Sequence, residues 1–127
     1  MSVAHLHQIR VRYAETDQMG VAHHSACVAW LEEARIEWLR ARGRSYRELE
    51  AGGLLMPVVE LSIRYFKTLR FDDVATLSTT AVCPGPTRIT FTTAVLIGEQ
   101  RCLEGVVTVA AVDPSGRPVR IPPDLRS

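Results

Sequence analysis

Hydrophobic and polar positions change period along this chain. Between residues 6 and 13 (LHQIRVRY), Leu6, Ile9, Val11 and Tyr13 alternate imperfectly with polar neighbours, which predicts a strand open to water on one side. From about residue 24 the spacing lengthens. Cys27, Trp30 or Leu31, Ala34 and Trp38 recur at steps of three and four, while Glu32, Glu33, Glu37 and Arg40 take the other side. The spacing predicts a long helix with a deeply buried stripe and a solvated acidic face. Arg40, Arg42 and Gly43 suit its C-terminal end. Ser45 and Glu48 have capping-box spacing and open a second, short helix that Gly52 and Gly53 stop.

After Met56 the texture is that of strands: PVVELSIRYF, VATLSTTAV, TRITFTTAVLI and CLEGVVTVAAV, separated by RFDD, PGP and GEQ. In the third, Ile89, Phe91, Thr93, Val95 and Ile97 fall on one face. Short connectors predict antiparallel neighbours. The ending DPSGRPVRIPPDL is turn-rich and predicts a surface segment.

The order is one strand, a long helix, a short helix and four strands. A sheet and a strongly apolar helix must cover each other, so the fold class expected is α+β, an antiparallel five-stranded sheet wrapped around a long central helix. A single domain over residues 1–127 follows from the length. One helix covers only part of such a sheet, so a homodimer or homotetramer is expected to bury more of the rest.

Composition narrows the function classes. Fifteen basic and fourteen acidic side chains give a net charge of +1, so no overall field draws the chain to nucleic acid or anionic lipid. No run approaches the ~20 apolar residues of a membrane span, and MSVAHLHQIR lacks the apolar stretch of a signal peptide, which sets a cytoplasmic expectation. Cys27, Cys83 and Cys102 are odd in number and lack C-x-x-C spacing, so three reduced, packed thiols are expected. Four histidines show no H-x-x-x-H or mixed Cys/His spacing, and no serine has a G-x-S-x-G setting, so neither a metal site nor a serine nucleophile is expected.

The stretch ETDQMGVAHHSACVAWLEEAR, residues 15–35, concentrates the chemistry. Asp17 and Gly20 form an acidic turn directly ahead of the helix. By itself such an aspartate reads first as an ordinary turn or capping carboxylate. The helix start has its own chemistry, because the first amides lack intrahelical acceptors and the dipole adds partial positive charge. Amides of residues 23 to 25 are therefore candidates to polarise a carbonyl oxygen.

RYAETDQMGVAHHSACVAWLEEAR, followed thirty residues later by YFKTLRFDD, resembles the hotdog-fold acyl-CoA thioesterases of the 4-hydroxybenzoyl-CoA thioesterase superfamily, most closely the YbgC-like group. The resemblance implies a thioester hydrolase acting on acyl-CoA with no separate cofactor, coenzyme A being part of the substrate. It implies that Asp17 is the catalytic carboxylate, as nucleophile or general base, that Gly20 is the turn glycine, and that His24 is the group's histidine at the helix start. His23, Ala26 and Cys27 differ from the residues usual in the group and flank its acyl pocket, so they bear on substrate size and polarity. Thr68 stands where the strand motif usually has proline.

Coenzyme A brings phosphate charge, for which Arg64, Lys67 and Arg88 are candidate partners, with Arg70 beside them in sequence. Only Arg88 marks the turn that is markedly basic in some relatives, which keeps an acyl carrier protein thioester open as substrate. A hydratase or dehydratase, or a non-catalytic acyl-CoA-binding module, are the other functions this fold class serves.

Overall fold

The computed structural model describes residues 3–126. Its strands are β1 (His5–Arg10), β2 (Val58–Tyr65), β3 (Val74–Gly85), β4 (Arg88–Ile97) and β5 (Gln100–Ala110), and its helices are α1 (His24–Ala41) and α2 (Tyr46–Ala51). The strands form one sheet in the order β1-β3-β4-β5-β2, with every pairing antiparallel. β3, β4 and β5 form a meander. The two strands that flank α1 in sequence therefore lie at opposite edges, and α1 carries the chain across one face between them.

That crossing explains the burial pattern. Cys27, Trp30, Leu31, Ala34 and Trp38 are buried on α1, as the spacing predicts, opposite Leu77, Ile89, Phe91, Val95, Leu103 and Val107 of the central strands. Trp38 meets Phe91 edge-on, ring centres 5.3 Å apart. Thr79 and Thr93, paired across β3 and β4, are buried and satisfy each other through a 2.9 Å hydroxyl bond. At the far end of α1 the Arg42 guanidinium lies 4.1 Å from the Trp38 ring centre, Gly43 takes φ +77°, and Arg44 N–H donates to Leu39 O. Ser45 Oγ accepts the Glu48 amide and caps α2.

Three sequence expectations change. β1 ends at Arg10, and Tyr13 lies in a short 3-10 turn (Tyr13–Glu15), 77% exposed. Along β1 it is His5, His7 and Ile9 that turn inward while Leu6 is 64% exposed, because buried Val11 sets the parity of the strand. The C-terminal segment is not superficial. Val119 N–H donates to Ala111 O and Ile121 N–H to Pro86 O, which seats Ile121 and Leu125 in the core beside Trp38 and Val109. Each such burial contributes about 1.5–3 kcal/mol. The acidic face of α1 is also not wholly solvated, since Glu33 meets His7 Nε2 at 2.6 Å. Arg35 is buried, with Glu32 the main opposite charge acting on it, and its guanidinium forms no hydrogen bond or ion pair among the described residues.

Candidate functional site

The chain leaves β1 at Arg10 and is held at once to the β2–β3 connection, with Val11 N–H donating to Asp73 O and Asp72 N–H to Val11 O. The 3-10 turn follows, then a closed loop. Thr16 bridges Ala22, Asp17 N–H donates to Val21 O at 3.0 Å, and Gly20 N–H donates to Asp17 O at 2.9 Å. Gly20 has φ +78°, a conformation that other residues adopt only with strain. Its role is to let this loop close. Arg70 bridges Val21 and brings its guanidinium to 3.8 Å from where a Gly20 side chain would begin.

Within the loop Asp17 Oδ1 accepts the Met19 amide at 2.8 Å and the Val21 amide at 3.4 Å. Oδ2 accepts no hydrogen bond among the described residues. The carboxylate lines a hollow of about 440 Å³ with Tyr13, Thr16, Gln18 and His23. His23 is the N-cap of α1 and His24 its first residue. His23 N–H is spent on Glu15 O, whereas His24 and Ser25 N–H have no acceptor among the described residues. The polarising amides expected at 23 to 25 thus reduce to two, at the positive end of an 18-residue helix.

On the other side of the loop a pocket of about 230 Å³ is lined by Ala22, Cys27, Tyr65, Phe66, Lys67, Thr68, Leu69 and Leu103. Burial pushes the Cys27 thiol up to about 11, so it stands as a neutral group beside the Tyr65 hydroxyl. Cys83 and Cys102 are raised by burial too, and all three thiols are free.

The structure gathers the candidate residues only partly. Asp17, Gly20, His23 and His24 share the loop and helix start, and Lys67 lines the adjacent pocket. Arg64 lies on β2 between Ile63, which packs on the core, and Tyr65, which touches Cys27, so it takes the sheet face away from α1. Arg88 pairs with Ala110 on β5, whereas Arg64 pairs with Glu104, which sets them roughly 20 Å apart at ~3.3 Å per residue. Arg88 is at the end of the sheet remote from Asp17 of the same chain. Among the described residues no three His, Cys, Asp or Glu side chains form a group that could hold a metal ion.

Sequence reasoning missed Glu15. Its side chain is 11% exposed, with Oε1 accepting Arg12 N–H at 2.8 Å and Oε2 accepting Trp30 Nε1–H at 3.0 Å. Only its place two residues before Asp17 could have drawn attention to it, since the Trp30 contact spans 15 residues and leaves no local pattern.

A five-stranded antiparallel sheet carrying one long helix, with a carboxylate turn at that helix's start, defines a hotdog domain of the thioesterase class. The model of the thioesterase-like superfamily matches residues 11–127, and the chain belongs to that family. The acyl-CoA thioester hydrolase YbgC of Escherichia coli O157:H7 is 34% identical over 107 residues, 84% of this chain and 80% of the relative. YneP of Bacillus subtilis is 40% identical over 72 residues, 57% of this chain, and the match spans 52% of that relative's length. Among solved structures, protein TT1821 of Thermus thermophilus superposes with a TM-score of 0.88 at 36% identity, covering 94% of this chain and 92% of its own.

Proposed function

We propose that this protein hydrolyses acyl-CoA thioesters, releasing coenzyme A and a carboxylic acid. Relatives such as YbgC support the substrate class. The observation that carries the chemistry is the pairing of a carboxylate oxygen with no hydrogen-bond partner, Asp17 Oδ2, with two unspent amides at the start of the helix that follows its loop. No cofactor enters, since coenzyme A arrives with the substrate.

Thioester cleavage needs attack on the carbonyl carbon and a place for the charge that develops on its oxygen. In this reading the His24 and Ser25 amides receive that oxygen. Asp17 Oδ2 either takes a proton from the attacking water or attacks the carbon itself to give a mixed anhydride, which water then opens. In both routes the carbonyl oxygen becomes the oxyanion, its collapse breaks the C–S bond, and coenzyme A leaves as thiolate. His24 and His23 orient substrate at the mouth, Gly20 holds the loop closed, and Lys67 meets the coenzyme A phosphates. Given its distance along the sheet, Arg88 serves a site only from a neighbouring copy.

The same reading makes the protein a homo-oligomer. β2 is an edge strand, and Val59, Leu61 and Tyr65 on its helix-side face, with Val28 of α1, are all between 40% and 55% exposed. A second copy covering them removes an apolar face that a monomer leaves wet. Among the described residues no helix is long and apolar enough to cross a membrane. Free cysteines suit the cytoplasmic setting proposed here.

The test is free-thiol release from a panel of short, long and aromatic acyl-CoAs and from an acyl carrier protein thioester, beside a folded Asp17→Asn variant. A fall on the order of 10²- to 10⁴-fold in the variant is expected. Equal rates would remove Asp17 from the chemistry. Binding of acyl-CoA with no release by either protein would replace the hydrolase reading with a binding module. Isotope from labelled water found in the Asp17 carboxylate after one turnover would select the anhydride route.

A further inference from the structure

We infer that Glu15 is a positioning residue for the site, tying Asp17 and the first amides of α1 into one rigid unit. This rests on the reading of Asp17 and the helix start given above.

Glu15 closes the 3-10 turn, its N–H donating to Arg12 O at 2.9 Å. Its carbonyl accepts the His23 amide at 2.8 Å, so its backbone grips the N-cap of α1. Its side chain reaches seven residues further along the helix, to the indole N–H of Trp30, itself 2% exposed in the core. One residue thus holds α1 at two points nearly two turns apart. The loop of residues 16–22, closed on itself by the Thr16–Ala22 bridge, is held at its two ends by the bond between Glu15 and His23.

Two consequences follow from that geometry. Asp17 cannot move against the His24 and Ser25 amides unless the Glu15 carbonyl leaves His23 or the loop bridge opens. The orientation of the Glu15 backbone in turn depends on its carboxylate, which has two neutral donors at 2.8 and 3.0 Å and the exposed Arg12 guanidinium at 3.5 Å. With its one cation exposed and at 3.5 Å, the nearly buried carboxylate gains little stability for its desolvation, so its two short bonds act chiefly to fix orientation. A misplacement of about 1 Å between attacking group and oxyanion donors is enough to cost on the order of 10²-fold in rate.

Substitution to glutamine discriminates well. An amide has one acceptor oxygen, so Glu15→Gln can keep the Arg12 bond or the Trp30 bond and sets its NH₂ against the other donor. Trp30→Phe removes the indole N–H and leaves Glu15 intact. We expect both variants to remain folded, to lower kcat by about 10- to 100-fold with KM for acyl-CoA within about threefold of wild type, and to be strongly non-additive in the double variant, because both cut the same tie.

Measured beside Asp17→Asn, the outcomes separate. Wild-type kcat in Glu15→Gln with Asp17→Asn inactive overturns the positioning role alone. A loss of folded protein with unchanged kcat per folded molecule overturns it too, leaving a merely structural strut. Full activity in Asp17→Asn would instead remove the site reading on which the inference stands.

Discussion

Leu31 of α1 rests directly on Gly105 of β5: a β-carbon built on that glycine would stand 2.6 Å from Leu31 Cδ2 and nearer still to Cδ1. Gly105 pairs with Ile63 and Thr93 in mid-sheet, so the contact sets how closely helix and sheet approach. Gly105→Ala is therefore expected to destabilise the fold by about 1–3 kcal/mol through overpacking. Leu31→Ala should relieve part of that cost, so the double variant should lose less than the two single losses combined. Urea denaturation of the three variants measures it; additive losses would mean that the two side chains do not share one space.

Much of this packing is readable in advance. The stripe Cys27, Trp30, Leu31, Ala34 and Trp38 and the alternation Ile89, Phe91, Thr93, Val95 are periodic over several turns or residues, and all nine are buried. What escapes is set by contacts distant in sequence. Ile121 and Leu125 lie among prolines that read as surface turns, and their burial depends on backbone pairing with residues 86 and 111. His5 and His7 take the inward face of β1 because strand parity is fixed by Val11 and the ladder with β3, against the local preference of Leu6. At the site, the Asp17 turn and helix start are local and legible, whereas the Glu15–Trp30 tie and the separation of Arg64 from Arg88 exist only once the chain has folded.

The exposed helix-side face of β2 gives a direct test of assembly. Leu61, 41% exposed on that edge strand, is expected to lie under a second copy. Leu61→Lys puts a charge there and should shift a sedimenting dimer or tetramer toward monomer, while leaving the circular dichroism of the chain unchanged. A wild-type protein that sediments as a monomer at tens of micromolar would sink the proposed oligomer.

The tail is fastened by charge as well as by burial. Arg44 Nη1 lies 2.7 and 2.6 Å from the two oxygens of Asp124, and its hydrogen bonding holds that carboxyl below its ordinary value of 3.8. Because the folded pKa is the lower one, the contribution is fully present above the unfolded value and disappears as pH falls through the folded one. The stability gap between wild type and Asp124→Asn should accordingly be constant above about pH 5 and narrow below about pH 4. The pair is exposed, so the gap should be small and should shrink further in high salt. Denaturation midpoints across pH 3–7 decide it; a gap that widens in acid would reverse the assignment.

Cys27 lies at the junction of α1, the pocket and Tyr65, where a reactive thiol would suggest a different chemistry. Burial holds it up to about 11, so at pH 8 only about one molecule in a thousand carries the thiolate, the form that reacts. The residue is also only 2% exposed. Iodoacetamide at pH 8 should thus alkylate Cys27 at least about a hundredfold more slowly in the native protein than in urea, as read by mass spectrometry of the peptide containing it. The folded pKa here is the raised one, so the neutral thiol stabilises the fold below the unfolded value near 8.5–9 and that contribution fades as pH climbs toward 11. Cys27→Ala should then show a shallower loss of stability between pH 9 and 11 than wild type. Rapid native alkylation accompanied by loss of thioesterase activity would instead make Cys27 an accessible nucleophile and displace Asp17 from the centre of the mechanism.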